Sequence, residues 1–321
     1  MSIIEQATRR LEELRRSGIE LPPRTEAAAP GAEAGESLPA RAVRRLQEAG
    51  AATPGTARER QAEVREFAPT GHGPASAQSK HTCIDLDRLA SMGYLTPGTP
   101  RAQIADEFRV IKRPMLMNIL GKSAAPVERA NLIMVTSSLP GEGKTFVAIN
   151  LAVSMAMELD KTVLLVDADV SRPSVLTRLG LTPAPGLLDV LGDPSKDLSD
   201  VLLRTNIDTL SVLPAGAPNG RATELLASDG MNQLIEEMAT RYADRILIFD
   251  APPLLPSTES RVLATHMGQI VVVVEADRTP QKAVAQAMST LEACPVVLPL
   301  LNKANHSEVG FYYGYYGPVE G

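Results

Sequence analysis

Short apolar runs and amphipathic stretches alternate along the second half of the chain. The apolar runs, each typical of a buried strand, lie at residues 131–137, 162–167, 209–213, 245–250, 269–275 and 296–301. Stretches with the period of an amphipathic helix lie near residues 144–158, 229–242 and 279–292. Nearly continuous apolar strands separated by helices predict an α/β fold, with a mostly parallel sheet covered by helices on both faces.

Two further helical patterns precede the first of these strands. Apolar residues from Leu86 to Met92 have helical spacing, and Gly93 is a suitable stop. A longer pattern covers residues 104–120, and Pro114 inside it should kink or split the helix. The charged side of this pattern is typical of a solvated face, with a subunit interface lined by complementary charges as the alternative.

The first 80 residues differ in composition from the rest. Residues 1–20 contain an amphipathic helical pattern, which indicates either a docking helix for a partner or a marginal helix that frays. Residues 21–80 are rich in Ala, Pro and Gly and have too little apolar surface to offset the entropy of ordering, so we expect a flexible linker. An ordered domain at residues 81–308 and a tail at residues 309–321 complete the predicted organisation.

Composition excludes several classes of protein. The 321 residues are 44% hydrophobic but only 3% aromatic, so the core must be aliphatic. A net charge of −6 argues against a bulk nucleic-acid-binding protein, which would present a basic face. Cys83 and Cys294 show neither metal spacing nor a disulfide framework, and we expect a reducing, cytoplasmic compartment. No apolar run approaches the roughly 18 residues that a membrane span needs.

The segment after the run at 131–137 carries the strongest chemical signal. Gly141 and Gly143 lie between a predicted strand and a predicted helix, which is the context of a phosphate-binding loop whose N–H groups and helix N-terminus face an anion. Lys144 supplies a charge for the β- and γ-phosphates, and the Thr145 hydroxyl is placed to bind Mg²⁺. The loop residues that we expect to hold ATP are Ser138, Pro140, Gly141, Glu142, Gly143, Lys144, Thr145 and Phe146.

Three acidic residues follow two of the buried strands. Asp167 and Asp169 end one strand and Asp250 ends another, so all three should lie at the sheet edge that carries the phosphate loop. Asp250 has the position of a Walker B acid, while Asp167 and Asp169 could bind metal, accept a proton or simply cap a turn or helix. We predict the catalytic set Lys144, Asp167, Asp169 and Asp250, and a Mg²⁺ site of Thr145, Asp169 and Asp250.

Three motifs together resemble those of the bacterial tyrosine kinases, which use a P-loop fold. Residues 137–145, 163–173 and 246–253 are similar to the Walker A, A′ and B motifs of that family. The second motif of the family is Asp-x-Asp followed by Arg and Pro, which matches Asp167-Ala168-Asp169-Val170-Ser171-Arg172-Pro173. Its third motif often reads Asp-Thr-Pro-Pro, and this chain has Asp250-Ala251-Pro252-Pro253.

The resemblance covers roughly residues 84–316. Residues 1–16 and 104–113 also resemble the branch associated with exosortase-linked exopolysaccharide clusters. The C-terminal run Phe311-Tyr312-Tyr313-Gly314-Tyr315-Tyr316-Gly317 holds four of the six tyrosines, and a Gly-containing terminus is not expected to pack them all in a core. A docking or aggregation-prone tail is one interpretation of this run.

The resemblance implies another role for that tail. Members of the family autophosphorylate a tyrosine cluster in trans within a ring of subunits, which here implies the acceptors Tyr312, Tyr313, Tyr315 and Tyr316. The Glu-x-x-Arg-x-x-Arg helix motif of the ring contacts corresponds to Asp106, Arg109 and Lys112, of which Asp106 and Lys112 differ from the motif but keep its charges. The last two residues that we expect at the nucleotide are Arg172 and, against the adenine, Asn302.

The same resemblance implies partners and a location. We expect ATP-dependent tyrosine autophosphorylation that regulates exopolysaccharide polymerisation or export. A membrane co-polymerase adaptor would recruit the chain from the cytoplasm to the inner face of the cell membrane, and a phosphotyrosine phosphatase would reset it. No nucleic acid is expected as a partner.

Two other interpretations stay open. A positioning ATPase of the ParA/MinD type shares the fold but carries an extra lysine five residues before the loop lysine, where this chain has Leu139. A nucleotide-dependent assembly scaffold with little kinase activity is the second. A GTPase is disfavoured, because Asn302-Lys303 is only half of a base-reading Asn-Lys-x-Asp motif.

Overall fold

A computed structural model describes residues 80–99, 102–242 and 244–304 of the chain. The predicted N-terminal helix, all but the last residue of the predicted linker and the tyrosine-rich tail lie outside the described residues. The boundaries predicted for the domain at 81–308 therefore stay predictions. Across the described ranges, no helix is both long enough and apolar enough to cross a membrane.

The strands of the described residues form one eight-stranded sheet. Their bounds are β1 Lys80–His81, β2 Leu132–Ser137, β3 Thr162–Asp167, β4 Leu203–Arg204, β5 Leu210–Leu213, β6 Arg245–Asp250, β7 Gln269–Glu275 and β8 Val296–Asn302. They are ordered β1-β4-β5-β3-β6-β2-β7-β8, and every neighbouring pair is parallel except β4 with β5. The mostly parallel sheet is thus confirmed, and the six apolar runs are its six longer strands.

The helices lie between the strands, as the alternating pattern predicts. Their bounds are α1 Leu86–Ser91, α2 Gln103–Ile119, α3 Lys144–Ala156, α4 Val175–Leu179, α5 Leu187–Gly192, α6 Ala222–Leu226, α7 Asp229–Arg241, α8 Thr258–Ala264 and α9 Gln281–Ser289, with a 3₁₀ turn at Leu198–Asp200. The longer helices α2, α3, α7 and α9 match predicted stretches. The short helices α4, α5, α6 and α8 span too few residues to show a clear period.

The apolar strands are explained by two cores, one on each face of the sheet. Successive residues of β2 alternate between them: Leu132 and Met134 pack with α7 and α8, and Ile133 and Val135 pack with α2 and α3. Strands β3 and β6 alternate in the same way. Because both faces are buried, the central strands need apolar residues at every position except their carboxyl ends.

One detail of α2 differs from the prediction. The sequence predicts a kink or a split at Pro114, and the helix is continuous through it, so a split is excluded. Pro114 and Val110 are both exposed. The Val110 carbonyl has no helical hydrogen bond, because the proline four residues later has no backbone N–H to donate. We infer that water can satisfy this carbonyl, which removes most of the cost of a proline at this position.

Candidate functional site

The sheet order brings the predicted site residues together. Strands β3, β6 and β2 are adjacent and parallel, and Asp167 of β3 pairs in register with Asp250 of β6. Asp250 is in turn in register with Val135, two residues before the end of β2 and just ahead of the phosphate loop. The loop and the carboxylates therefore share the carboxyl edge at the centre of the sheet, as expected for a ligand site in such a fold.

The phosphate loop passes directly from β2 into α3. Gly143 is the N-cap of α3, and both Gly141 and Gly143 have positive φ angles, 91° and 101°. A side chain at 143 would also collide with Asn302, whose Nδ2 lies 2.1 Å from the place of a Cβ. Backbone conformation and close approach both require glycine there. The N-terminus of α3, with its free N–H groups, faces the carboxylate edge and suits an anionic ligand.

Lys144 is the central cation of the site. Its Nζ lies 2.6 Å from Asp169 Oδ2 and 3.6 Å from Asp250 Oδ1, and all three side chains are nearly or fully buried. Burial alone would lower the pKa of Lys144, but the negative charges of Asp250 and Asp169 outweigh burial and raise that pKa. Lys144 is therefore held charged at neutral pH at the N-terminus of α3.

Asp250 is fully buried and only partly satisfied. Its Oδ2 accepts a hydrogen bond from the Thr145 hydroxyl at 2.6 Å, whereas Oδ1 has no hydrogen-bond partner. Burial raises the pKa of Asp250 to about 6, although Lys144 and the Thr145 hydroxyl oppose the shift. A buried carboxylate oxygen without a donor is costly, so this atom is suited to a cation.

Asp167 has a structural role that was considered from the sequence. Its Oδ2 accepts hydrogen bonds from the backbone N–H groups of Ser174 and Val175, both at 3.0 Å, and so caps α4. Its Oδ1 is buried without a hydrogen-bond partner. Burial and the charge of Asp250 raise the pKa of Asp167 to about 7. The capping interpretation is thus confirmed for one oxygen of Asp167.

The residues present fit a magnesium ion. Thr145 and Asp250 supply adjacent oxygens, and Asp169 contacts the same Lys144 ammonium as Asp250 does. Within the described residues no group of three or more His, Cys, Asp and Glu forms a metal cluster. In nucleotide sites Mg²⁺ is bound by one or two carboxylates together with phosphate oxygens.

The other predicted nucleotide residues lie around the loop. Ser138 is buried with an unpaired hydroxyl, and the Phe146 ring packs at 4.9 Å from the ring of Tyr94. Arg172 is exposed after β3, with its backbone N–H bonded to Asp169. The Asn302 amide donates to the carbonyl of Glu142 at 2.9 Å, so Asn302 lies beside the loop, and its contact with adenine stays a prediction.

Several contacts of the site were missed from the sequence. The Ser174 hydroxyl lies 3.0 Å from that of Thr145, and the Lys303 ammonium donates to the Gly141 carbonyl at 2.9 Å. The Thr279 hydroxyl donates to the carboxylate of Glu142. Each contact joins residues that are far apart in sequence, and neither Ser, Thr nor Lys stands out by type.

The predicted interface residues divide into two kinds. Asp106 and Arg109 form an exposed ion pair one turn apart on α2. Lys112 is buried instead, and its Nζ lies 2.6 Å from both the Ser154 carbonyl and Glu158. The expectation that Lys112 shares an exposed polar face with the other two is wrong, because its long side chain reaches the C-terminal end of α3.

Comparison with known proteins identifies relatives that match about two thirds of the chain. A family model described as an AAA domain matches residues 130–296. The tyrosine-protein kinase YwqD of Bacillus subtilis strain 168 is 33% identical over 223 residues, which cover 68% of this chain and 88% of YwqD. The succinoglycan biosynthesis transport protein ExoP of Rhizobium meliloti strain 1021 is 34% identical over 227 residues, which cover 68% of this chain but only 27% of ExoP.

The solved structure of the BceF tyrosine kinase domain matches with a TM-score of 0.55 and 25% identity, covering 70% of this chain and 91% of that one. The residues matched by the family model contain the phosphate loop and all three carboxylates. Since the alignment also spans most of YwqD, the chain belongs to the bacterial tyrosine kinase family.

Proposed function

We propose that this chain is an ATP-dependent tyrosine autokinase that regulates the polymerisation or export of an exopolysaccharide. The observation that carries the proposal is the buried cluster of Lys144, Asp169 and Asp250 at the mouth of the phosphate loop. A cation held there by two carboxylates is placed for the phosphates of a nucleotide, and positioning with electrostatics supplies most of the catalysis in phosphoryl transfer.

Each residue has a role in the proposed transfer. The loop N–H groups and Lys144 bind the β- and γ-phosphates and stabilise charge on the phosphoryl group as it moves. We assign the proton of the attacking tyrosine hydroxyl to Asp167, because the other two carboxylates are bound to Lys144 or Thr145. Since Asp167 Oδ1 is buried, the hydroxyl must displace the residues that cover it. A pKa of about 7 suits a general base at neutral pH.

Thr145, Asp250 and Asp169 would hold the magnesium ion. When bound, Mg²⁺ supplies positive charge that neutralises the β- and γ-phosphate oxygens. The Thr145 hydroxyl and the Asp250 carboxylate are already at hydrogen-bond distance, so their oxygens need little movement to share one cation.

The acceptors in this proposal are Tyr312, Tyr313, Tyr315 and Tyr316 of a neighbouring subunit. Each phosphate adds roughly −1.5 to −2 charge at neutral pH, to a chain whose net charge is already −6. Repulsion among tails and from the carboxylate cluster would favour release from a ring in which Asp106 and Arg109 contribute contacts. A phosphotyrosine phosphatase would then reset the cycle.

One named relative supports the proposed partners and location. ExoP is named for succinoglycan biosynthesis and transport, and this chain covers 27% of it. We infer that a membrane adaptor of the co-polymerase type recruits this chain from the cytoplasm to the inner face of the cell membrane.

Mass-spectrometric mapping of phosphotyrosine tests the proposal. Protein purified from its host, and protein incubated with ATP and Mg²⁺, should carry phosphate on the tail tyrosines. Replacing all four tyrosines by Phe should remove the phosphotyrosine signal and keep the oligomer. Replacing all four by Glu should lower the mass of the oligomer, measured by size exclusion with light scattering. ATP hydrolysis without any phosphotyrosine would instead favour a positioning ATPase or a scaffold.

A further inference from the structure

The phosphate loop is held from outside by the end of β8. The Lys303 ammonium donates to the Gly141 carbonyl and the Asn302 amide donates to the Glu142 carbonyl, both at 2.9 Å. In a trans peptide the C=O group and the next N–H point in opposite directions. Two carbonyls drawn outward therefore turn the N–H groups of Glu142 and Gly143 inward, where a phosphate would bind.

A second restraint comes from the side chain of Glu142. This residue is only 2% exposed, although a carboxylate is expensive to bury unless it is hydrogen-bonded. Its Oε2 accepts the backbone N–H of Leu139 at 2.7 Å, which ties the middle of the loop to its start. Its Oε1 accepts the hydroxyl of Thr279, which lies between β7 and α9.

The residues that bond to the loop are themselves held in place by other contacts. The Thr279 hydroxyl accepts the backbone N–H of Glu275 at 3.2 Å, so its proton is left for Glu142. The carboxylate of Glu275 lies 3.0 Å from the Lys303 ammonium. The loop is thus restrained by the ends of β7 and β8, and we name Glu142, Thr279, Asn302 and Lys303 the loop clamp.

We propose that the loop clamp positions the phosphate loop for ATP, by fixing its N–H groups toward the phosphates before the nucleotide arrives. Glu142, Thr279 and Lys303 are then positioning residues rather than catalytic ones. A loop that is already ordered loses less conformational entropy on binding, and the saving appears as affinity. The inference rests on the ATP site of the proposed function but does not require phosphotyrosine formation.

Titration calorimetry with ATP and Mg²⁺ on the purified full chain tests the clamp through Thr279. We expect Thr279→Val to weaken ATP binding by roughly tenfold, because the Glu142 carboxylate loses a buried donor. Thr279→Ser keeps the hydroxyl and should restore the affinity. Thr290→Val is the matched control, since Thr290 bonds only to the Ala287 carbonyl at the end of α9.

Lys303 provides a second, independent measurement. Lys303→Met should weaken ATP binding by about two- to threefold, since its ammonium is half-exposed and partly screened by solvent. Lys282→Met, at an exposed lysine on α9, should leave the affinity unchanged. Thermal unfolding without nucleotide is recorded for every variant, to separate loop order from general loss of stability.

Three results would overturn the proposal. The first is a Thr279→Val variant that binds ATP as tightly as Thr290→Val does. The second is a Thr279→Ser variant as weak as Thr279→Val, since the hydroxyl would then be irrelevant. The third is a failure of the protein without substitutions to bind ATP, which would refute the proposed function as well. An unchanged chain that binds ATP but forms no phosphotyrosine refutes only the kinase.

Discussion

The centre of the sheet and its β7–β8 side contribute to the same site by different means. At the centre, β3, β6 and α3 supply buried charges, with Lys144 between Asp169 and Asp250. At the β7–β8 side, Thr279, Asn302 and Lys303 supply hydrogen bonds to the loop. The reacting groups and the groups that orient them are therefore separated in this fold, so each can be altered without the other.

The largest effect should come from the centre. Lys144→Met should abolish detectable phosphotyrosine, a loss of at least a hundred- to thousandfold, because the cation that contacts the transferring phosphate is removed. It also leaves Asp169 and Asp250 without their buried counter-ion. Anti-phosphotyrosine blotting measures this loss. Circular dichroism checks the fold, and Lys282→Met is the control. Autophosphorylation retained in the purified variant would refute the role of Lys144.

The buried carboxylates at the centre should make the stability of the protein depend on pH. The pKa values of Asp167 and Asp250 rise from an ordinary value of 3.8 to about 7 and about 6, mainly by burial. Between about pH 4 and 7 the folded protein therefore binds more protons than the unfolded chain, and its stability falls as the pH rises. The loss should amount to a few kcal/mol, at about 1.4 kcal/mol per pKa unit. Urea unfolding without nucleotide or Mg²⁺ at pH 5 and pH 8 measures it.

The matched variant for this experiment is Asp250→Asn. This variant removes one buried titratable group. It also lowers the pKa of Asp167, since the charge of Asp250 helps to raise that pKa. The fall in stability between pH 5 and 8 should shrink, while phosphotransfer should drop by roughly a hundredfold or more. Asp208→Asn, at an exposed position, should change neither. A pH dependence that Asp250→Asn leaves intact would mean that other groups cause it.

The smallest effects should come from α2, away from both regions. Lys112→Met should lower the free energy of unfolding by about 1–2 kcal/mol, because the buried Ser154 carbonyl loses its donor. Asp106→Ala should change it by less than about 0.5 kcal/mol, since its ion pair is exposed. The mass of the oligomer should respond in the opposite order, so that Asp106→Ala changes it more than Lys112→Met does. Equal stability of the two variants would contradict the burial of Lys112.

Only part of the site could be predicted from the sequence. Asp167 and Asp250 could be placed because each ends an apolar run, and parallel strands align their carboxyl ends. Lys112 could not, because helical spacing gives a direction from the axis but not the reach of a long side chain. Glu142 was assigned to the nucleotide from its place in the loop, yet its carboxylate turns back to the protein.

The fold was predictable to a similar extent. Long strands and helices carry their periods in sequence, and their observed bounds differ from the predicted ones by a few residues at most. The two-residue strands β1 and β4 exist only through pairing with neighbours, and α4 exists partly through its cap from Asp167. Such elements depend on tertiary contacts that no local pattern records.

The loop clamp has a consequence for the order in which the chain is made. Glu142 and its partner Asn302 are 160 residues apart, so at roughly 5–20 residues per second about 10–30 s separate their synthesis. The third motif is complete at residue 253, so for the last part of this time all three motifs exist while the loop lacks its outer restraints. A chain ending at residue 295 should therefore bind ATP weakly although it keeps every motif, whereas one ending at residue 304 should bind normally. Equal affinity of these two truncated chains would show that the site is complete before β8 emerges.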